Sequence, residues 1–65
     1  MTISEAILRY KDVGFKRQCW TSESLRIKEG EKGPNYPLQM ISRGKVVGEY
    51  MGSAEDLMAD DWVKA

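Results

Sequence analysis

The sequence predicts an α+β fold. An N-terminal helix packs on a small twisted antiparallel sheet of four to five strands, and a short second helix precedes the last strand. Three observations predict this: an apolar stripe of helical period opens the chain, period-two alternation follows it, and a second helix-capping pattern stands near the C-terminus. Because no linker or low-complexity tract divides the 65 residues, we expect a single domain over 1–65.

The first helix is predicted over residues 3–12. Thr2 and Glu5 have the spacing of a capping box, and Gly14 supplies the left-handed residue that ends a helix. Four apolar residues recur at the i, i+3, i+4, i+7 spacing that places side chains on one helix face: Ile3, Ala6, Ile7 and Tyr10.

The first strands are predicted from alternation. Residues 15–20 mix large and polar side chains, and residues 25–28 alternate as a half-buried antiparallel strand does. Residues 29–36 collect glycine, proline, asparagine and charge, which is typical of a loop.

The second half of the chain predicts a hairpin, a helix and a last strand. Residues 38–41 and 45–50 are expected to pair around the turn 42–44. Ser53 begins a second capping pattern and a helix of one or two turns, and Trp62-Val63 is expected to return as a final short strand.

Composition predicts self-association. Apolar burial worth about 100 kcal/mol is offset by a conformational-entropy cost of about the same size, so a lone copy is marginal. With no histidine and a single cysteine, Cys19, the chain can form neither an internal disulfide nor a Cys/His zinc site. We therefore expect a homo-oligomer, and we interpret Cys19 as a small buried hydrophobic residue.

The distribution of charge limits the classes of partner that we expect. Zero net charge argues against a generic coat for nucleic-acid polymers. Residues 1–48 carry a net charge of +4 and residues 49–65 one of −4, which suits either head-to-tail contacts between copies or two solvated faces. We expect no membrane span and no signal peptide, and the unpaired thiol favours a reducing cytoplasm.

Catalytic patterns are sparse. Histidine, the commonest base near neutral pH, is absent, and no base stands beside the hydroxyls of Thr21 and Ser22, which we interpret as polar loop residues. Four acidic residues suit either magnesium or helix capping, and we favour capping: Glu55, Asp56, Asp60 and Asp61. We expect neither an enzyme nor a metal or cofactor site.

Aromatic and basic residues are the better indication of function. Trp20 follows Lys16 and Arg17 on a predicted strand, and Tyr50 ends another. A stacking ring beside a cation and a carboxylate is what a nucleotide pocket requires. Two alternatives stand beside this: Trp20, Tyr50 and Trp62 belong to the core, and Arg17 is a solvated strand residue.

Two stretches carry a resemblance to a known family. The opening residues 1–6 lead to Lys16-Arg17 and then Trp20. The closing residues 50–62 run aromatic, two residues, Ser, two residues, Asp-Leu-Met-Ala, acid, Asp-Trp, and residues 37–40 precede them as a strand. These patterns resemble the Thoeris anti-defence 2 family over most of the chain apart from 21–36.

The resemblance implies a phage or prophage protein of the host cytoplasm that does no chemistry. Such proteins bind and sequester a cyclic ADP-ribose isomer, such as glycocyclic ADP-ribose, that bacterial immune enzymes make. Some members also hold cyclic oligonucleotides. The resemblance further implies a homotetramer with pockets between subunits. The alternative, based on small size and the charge split, is a small protein-binding inhibitor of a host factor.

The resemblance also implies roles for individual residues. Trp20 and Tyr50 would stack on the ligand, Ser53 and Asp56 would be polar pocket groups, and Arg17 would meet phosphate. Tyr50 stands where tryptophan is usual in the family.

Overall fold

The computed structural model describes residues 1–21 and 24–65 and has the predicted α+β architecture. Within this part of the chain, one antiparallel sheet has the strand order β4-β3-β2-β1-β5, with α1 before it and the short α2 before the last strand. Seven elements follow one another: α1 Ile3–Tyr10, β1 Phe15–Arg17, β2 Leu25–Lys28, β3 Gln39–Ser42, β4 Lys45–Glu49, α2 Ala54–Met58 and β5 Trp62–Lys64.

The first helix begins at the predicted capping box. The Thr2 hydroxyl accepts from the Glu5 N–H at 3.3 Å, and the Glu5 carboxylate accepts from the Thr2 N–H at 3.1 Å. The helix ends at Tyr10 rather than at residue 12, and the Tyr10 carbonyl accepts from the Gly14 N–H at 2.7 Å. Gly14 has a φ of +113°, which only glycine adopts without strain, so the predicted stop signal is confirmed.

The core lies between α1 and the middle of the sheet. Strand pairing places Phe15 opposite Ile27 of β2, and Arg17 opposite Trp62 of β5. Side chains that lie opposite one another share a face of the sheet, so these four side chains lie on the same face. The rings of Phe15 and Trp62 meet edge to face with centroids 5.7 Å apart. Five buried residues form this core: Ile3, Ala6, Phe15, Ile27 and Trp62.

The predicted hairpin is confirmed and is closed by a two-residue turn. Arg43 and Gly44 both have positive φ, at 53° and 80°, which matches the right-handed twist of the flanking strands. The ladder between β3 and β4 has an irregularity at Met40/Ile41, where Gly48 pairs with Met40 and Val46 with Ile41. The hairpin therefore ends the sheet on an irregular outer strand.

The prediction that residues 15–20 form one strand is wrong beyond Arg17. The chain turns there, and the Trp20 N–H donates to the Arg17 carbonyl at 3.1 Å. Cys19 is exposed in this turn, so its interpretation as a buried hydrophobic residue is also wrong. The expectation for Ser22 lies outside the described residues. In the described ranges, neither helix is long and apolar enough to cross a bilayer.

Candidate functional site

Asp56 is the centre of the candidate site, and the start of α2 positions it. The Ser53 hydroxyl accepts from the Asp56 N–H at 3.3 Å and caps the helix. Capping fixes the first turn, so that the Asp56 carboxylate is held between β1 and the residue that follows β4. Ser53 therefore contributes to the site indirectly, by holding the backbone of Asp56.

Arg17 bridges two carboxylates. Its Nη1 donates to Asp56 Oδ1 at 2.6 Å, its Nη2 donates to Asp61 Oδ2 at 3.2 Å, and its Nε donates to Asp61 Oδ1. The pairing of Arg17 with Trp62 across β1 and β5 brings Asp61 within reach. Arg17 is only 8% exposed, so its interpretation as a solvated strand residue is wrong.

These ion pairs set the charge of the site. The hydrogen bonds that Arg17 donates to Asp61 and then to Asp56 raise the pKa of its guanidinium above the usual value. The same contact with Arg17 lowers the pKa of Asp61. Because one guanidinium faces two carboxylates, the cluster keeps a net negative charge, and the carboxylates repel a phosphate that approaches Arg17 unless one of them gives way.

Three aromatic rings pack beside the ion pairs. Trp62 is fully buried, and Trp20 and Tyr50 lie against it with centroids 5.7 and 6.2 Å away. Trp20 and Tyr50 meet at 6.4 Å, and both are half-buried. Of the three rings, Trp62 therefore belongs wholly to the core, whereas Trp20 and Tyr50 pack against it and keep accessible surface.

Tyr50 joins the rings to the carboxylates. Its hydroxyl donates to Asp56 Oδ2 at 3.1 Å, and the Trp62 Nε1–H donates to the Asp56 backbone carbonyl at 2.9 Å. Burial, followed by the bond to Asp56, raises the pKa of Tyr50 to about 12. The phenol therefore stays protonated at neutral pH and donates a hydrogen bond to Asp56, which holds its ring in place.

Gly52 makes room for this arrangement. A Cβ built on Gly52 would lie 2.6 Å from Tyr50 Cζ, closer than non-bonded carbons approach, so the Tyr50 ring occupies the place of a side chain.

We expect Gly52→Ala to push the Tyr50 ring away from Asp56 and to bring the pKa of Tyr50 down from about 12 towards its ordinary value near 10. Tyrosinate absorbance followed against pH measures this. Tyr50→Phe is the control, because it removes the phenol that donates to Asp56 and so identifies the high-pH step. An unchanged high-pH step in Gly52→Ala would show that the ring does not depend on this space.

The structure brings all five sequence-predicted residues into one connected cluster around Asp56: Arg17, Trp20, Tyr50, Ser53 and Asp56. Asp61 and Gly52 complete it and were not predicted. The signal for Asp61 was its place directly before Trp62, because a strand that pairs with β1 carries that residue to Arg17.

Two clefts lie on the surface of the described residues, and the smaller one includes Arg17 and Asp61 of the cluster. One of about 440 Å³ is lined by Arg17, Glu55, Met58, Ala59, Asp60 and Asp61. The other, of about 740 Å³, includes Arg26, Lys28, Gln39, Ile41 and Val46, which lie on the sheet face opposite Ile27 by strand alternation. Among the described residues no group of three acids, histidines or cysteines is arranged to hold a metal ion.

No known protein family, no curated protein and no solved structure matches the chain.

Proposed function

We propose that this protein is a phage or prophage anti-defence protein that sequesters a cyclic nucleotide immune signal in the host cytoplasm without cleaving it. The ligand class is a cyclic ADP-ribose isomer such as glycocyclic ADP-ribose, with cyclic oligonucleotides as a second class. One observation carries the proposal: the accessible rings of Trp20 and Tyr50 lie beside the ion pair of Arg17 and Asp56. The resemblance of the sequence to the Thoeris anti-defence 2 family, which includes these same residues, also supports it.

Each part of this cluster has a role towards a nucleotide. The accessible surfaces of Trp20 and Tyr50 stack on a base of the ligand. Such stacking accepts any base, because every base has a flat aromatic face. The Asp56 carboxylate accepts from a ribose hydroxyl or a ring N–H. Ser53 keeps Asp56 in position through the helix cap.

The phosphates of the ligand must bind at a cation that already pairs with carboxylates. Arg17 is already held by Asp61 and Asp56, so it meets a phosphate by exchanging the more exposed of the two, Asp61, for a phosphate oxygen. The role proposed for Arg17 is thus an exchange of anions rather than capture by a free cation.

The side chains of the cluster support binding without cleavage. The chain has no histidine, and the Tyr50 phenol stays protonated near neutral pH because its pKa is raised to about 12. The protein self-associates as a homotetramer. Neighbouring copies then cover the side of the ligand that a single small domain leaves exposed to solvent.

Isothermal titration of the purified protein with glycocyclic ADP-ribose, other cyclic ADP-ribose isomers and cyclic oligonucleotides tests the proposal. We expect one class to bind with nanomolar affinity, about −12 kcal/mol, because a sequestering protein must hold free ligand below the receptor's threshold. Mass spectrometry after heat denaturation should recover the ligand intact. Absence of heat with the whole panel, or recovery of a linear product, would contradict it.

A second candidate function is a protein-binding inhibitor of a host factor. Large apolar side chains that are more than four-fifths exposed favour it: Leu8, Met51 and Met58. Recovery of one stoichiometric partner from host lysate, with no nucleotide bound, would favour this function over sequestration.

A further inference from the structure

The sheet has one open face. α1 packs on the face that carries Phe15 and Ile27. α2 lies on the same side, because its Asp56 bonds to Arg17 on that face of β1. In the described part of the chain, neither helix covers the opposite face. By strand alternation the opposite face carries five residues that we call the basic face: Lys16, Arg26, Lys28, Ile41 and Val46.

The cations of the basic face have no acidic partner. β1, β2 and β3 contain no acidic residue, and β4 adds a single one to this face, Glu49 at its outer end. Within the described residues, Lys16, Arg26 and Lys28 form no ion pair. Like charges that are neighbours across a sheet destabilise it, so this concentration of cations favours an anionic partner.

Four members of the basic face, all except Lys16, line the cleft of about 740 Å³. Arg26 is held there by two contacts. Its Nη1 donates to the Val13 carbonyl at 3.3 Å, and its stem passes over Gly14, where a Cβ would lie 2.7 Å from Arg26 Cδ. The acidic residues of the cleft lie in the loops at its rim: Asp12, Glu29 and Glu31. An acidic partner therefore lies over the strands, where the cations are, rather than over the loops.

The C-terminal segment of the chain has the chemistry of such a partner. Residues 49–65 carry one basic and five acidic residues. Glu55 and Asp60 are exposed, and Met58 between them is 86% exposed. We call these three residues the acidic patch. They line the smaller cleft, which also includes Arg17 of the candidate site.

We infer that the acidic patch of one copy of this chain docks on the basic face of the next copy. Glu55 and Asp60 meet the strand cations, and Met58 covers the apolar part of the face, where Val46 is 56% exposed. The two surfaces are different and lie on opposite sides of the sheet, so the contact is head to tail. Head-to-tail contacts that close form rings, and a ring of four copies gives the proposed homotetramer.

This contact has a consequence for the candidate site, which rests on the proposed function. The cluster around Arg17 keeps a net negative charge by itself. Because the smaller cleft includes both Arg17 and the acidic patch, the next copy brings its basic face to the mouth of that cleft. Three cations then meet the two carboxylates of the patch, which leaves one positive charge for a phosphate of the ligand.

Charge reversal tests the contact, with the association constant measured by sedimentation equilibrium. We expect Lys28→Glu and Glu55→Lys each to weaken self-association about tenfold or more, because each places like charges across the contact. An equimolar mixture of the two variants should regain it, because each surface then finds one of opposite charge. Lys45→Glu is the matched control. Lys45 is exposed and pairs with Ser42 on the helix side of the sheet, so this variant should associate like the unaltered protein.

Three results would overturn the contact: single variants that associate as tightly as Lys45→Glu, a mixture that stays as weak as its components, or an unaltered protein that is monomeric. Circular dichroism checks the fold of each variant, and recovery in the mixture shows independently that both are folded. Lys16→Glu changes the same face at a second position and should weaken association in the same way.

Titration of Lys28→Glu with glycocyclic ADP-ribose tests the consequence for the site. We expect the affinity to fall about tenfold and to return in the mixture with Glu55→Lys. Unchanged affinity would overturn the added charge alone. If no cyclic nucleotide binds the unaltered protein, the proposed function fails while charge reversal still decides the contact.

Discussion

Trp62→Ala is expected to leave the protein unfolded at 25 °C. Trp62 is fully buried and touches the rings of Phe15, Trp20 and Tyr50, and its Nε1–H bonds to the Asp56 carbonyl. Removing such a side chain costs about 3–5 kcal/mol. Domains of this size have a free energy of unfolding of about 3–10 kcal/mol in total, and a marginal domain at the low end of that range loses all of it.

Urea unfolding followed by far-ultraviolet circular dichroism measures this effect. Trp62→Phe keeps a ring in the core and removes the bond to the Asp56 carbonyl, so we expect it to fold with a loss of about 1–2 kcal/mol. Leu8→Ala, at a position 81% exposed, should change the free energy of unfolding by less than about 0.5 kcal/mol. A Trp62→Ala protein that unfolds at the same urea concentration as Leu8→Ala would contradict the central position of this ring.

Trp20→Ala is expected to weaken binding of glycocyclic ADP-ribose about 10- to 100-fold, the effect of losing one stacking ring. This prediction rests on the proposed function. The fold should survive, because Trp20 lies half-buried in the turn after β1, outside the strand ladders.

Isothermal titration of the variant against the unaltered protein gives the comparison. Tyr36→Ala removes another aromatic ring, 55% exposed in the loop before β3, and serves as the matched control. We expect it to bind as the unaltered protein does. Equal affinities for both variants would remove Trp20 from the binding site.

Local signals predicted most of the fold. The capping box at Thr2 and the stop at Gly14 delimit α1 within two residues, and the positive-φ residues Arg43 and Gly44 close the predicted hairpin. Strand order was beyond such signals. The contact of β1 with β5 joins Arg17 to Trp62 across most of the chain, and no alternation pattern states which distant strand will be the neighbour.

The candidate site was predictable in its members more than in its contacts. Trp20, Tyr50 and Asp56 were identified by residue type and by the resemblance, and they do lie together. The ion pair of Arg17 with Asp61 was not predicted, because Asp61 reaches Arg17 only through the pairing of β1 with β5. The burial of Arg17 and the exposure of Cys19 likewise depend on where β1 ends, and alternation alone did not locate that boundary.

The guanidinium of Arg17 ties together three segments that are far apart along the chain: β1, α2 and the residue that leads into β5. A molecule that takes over part of this tie also loosens the anchoring of the last strand, because Asp61 loses its partner. Ligand occupancy would then be detectable at a distance, as faster amide hydrogen exchange in the outermost strand on that side of the sheet.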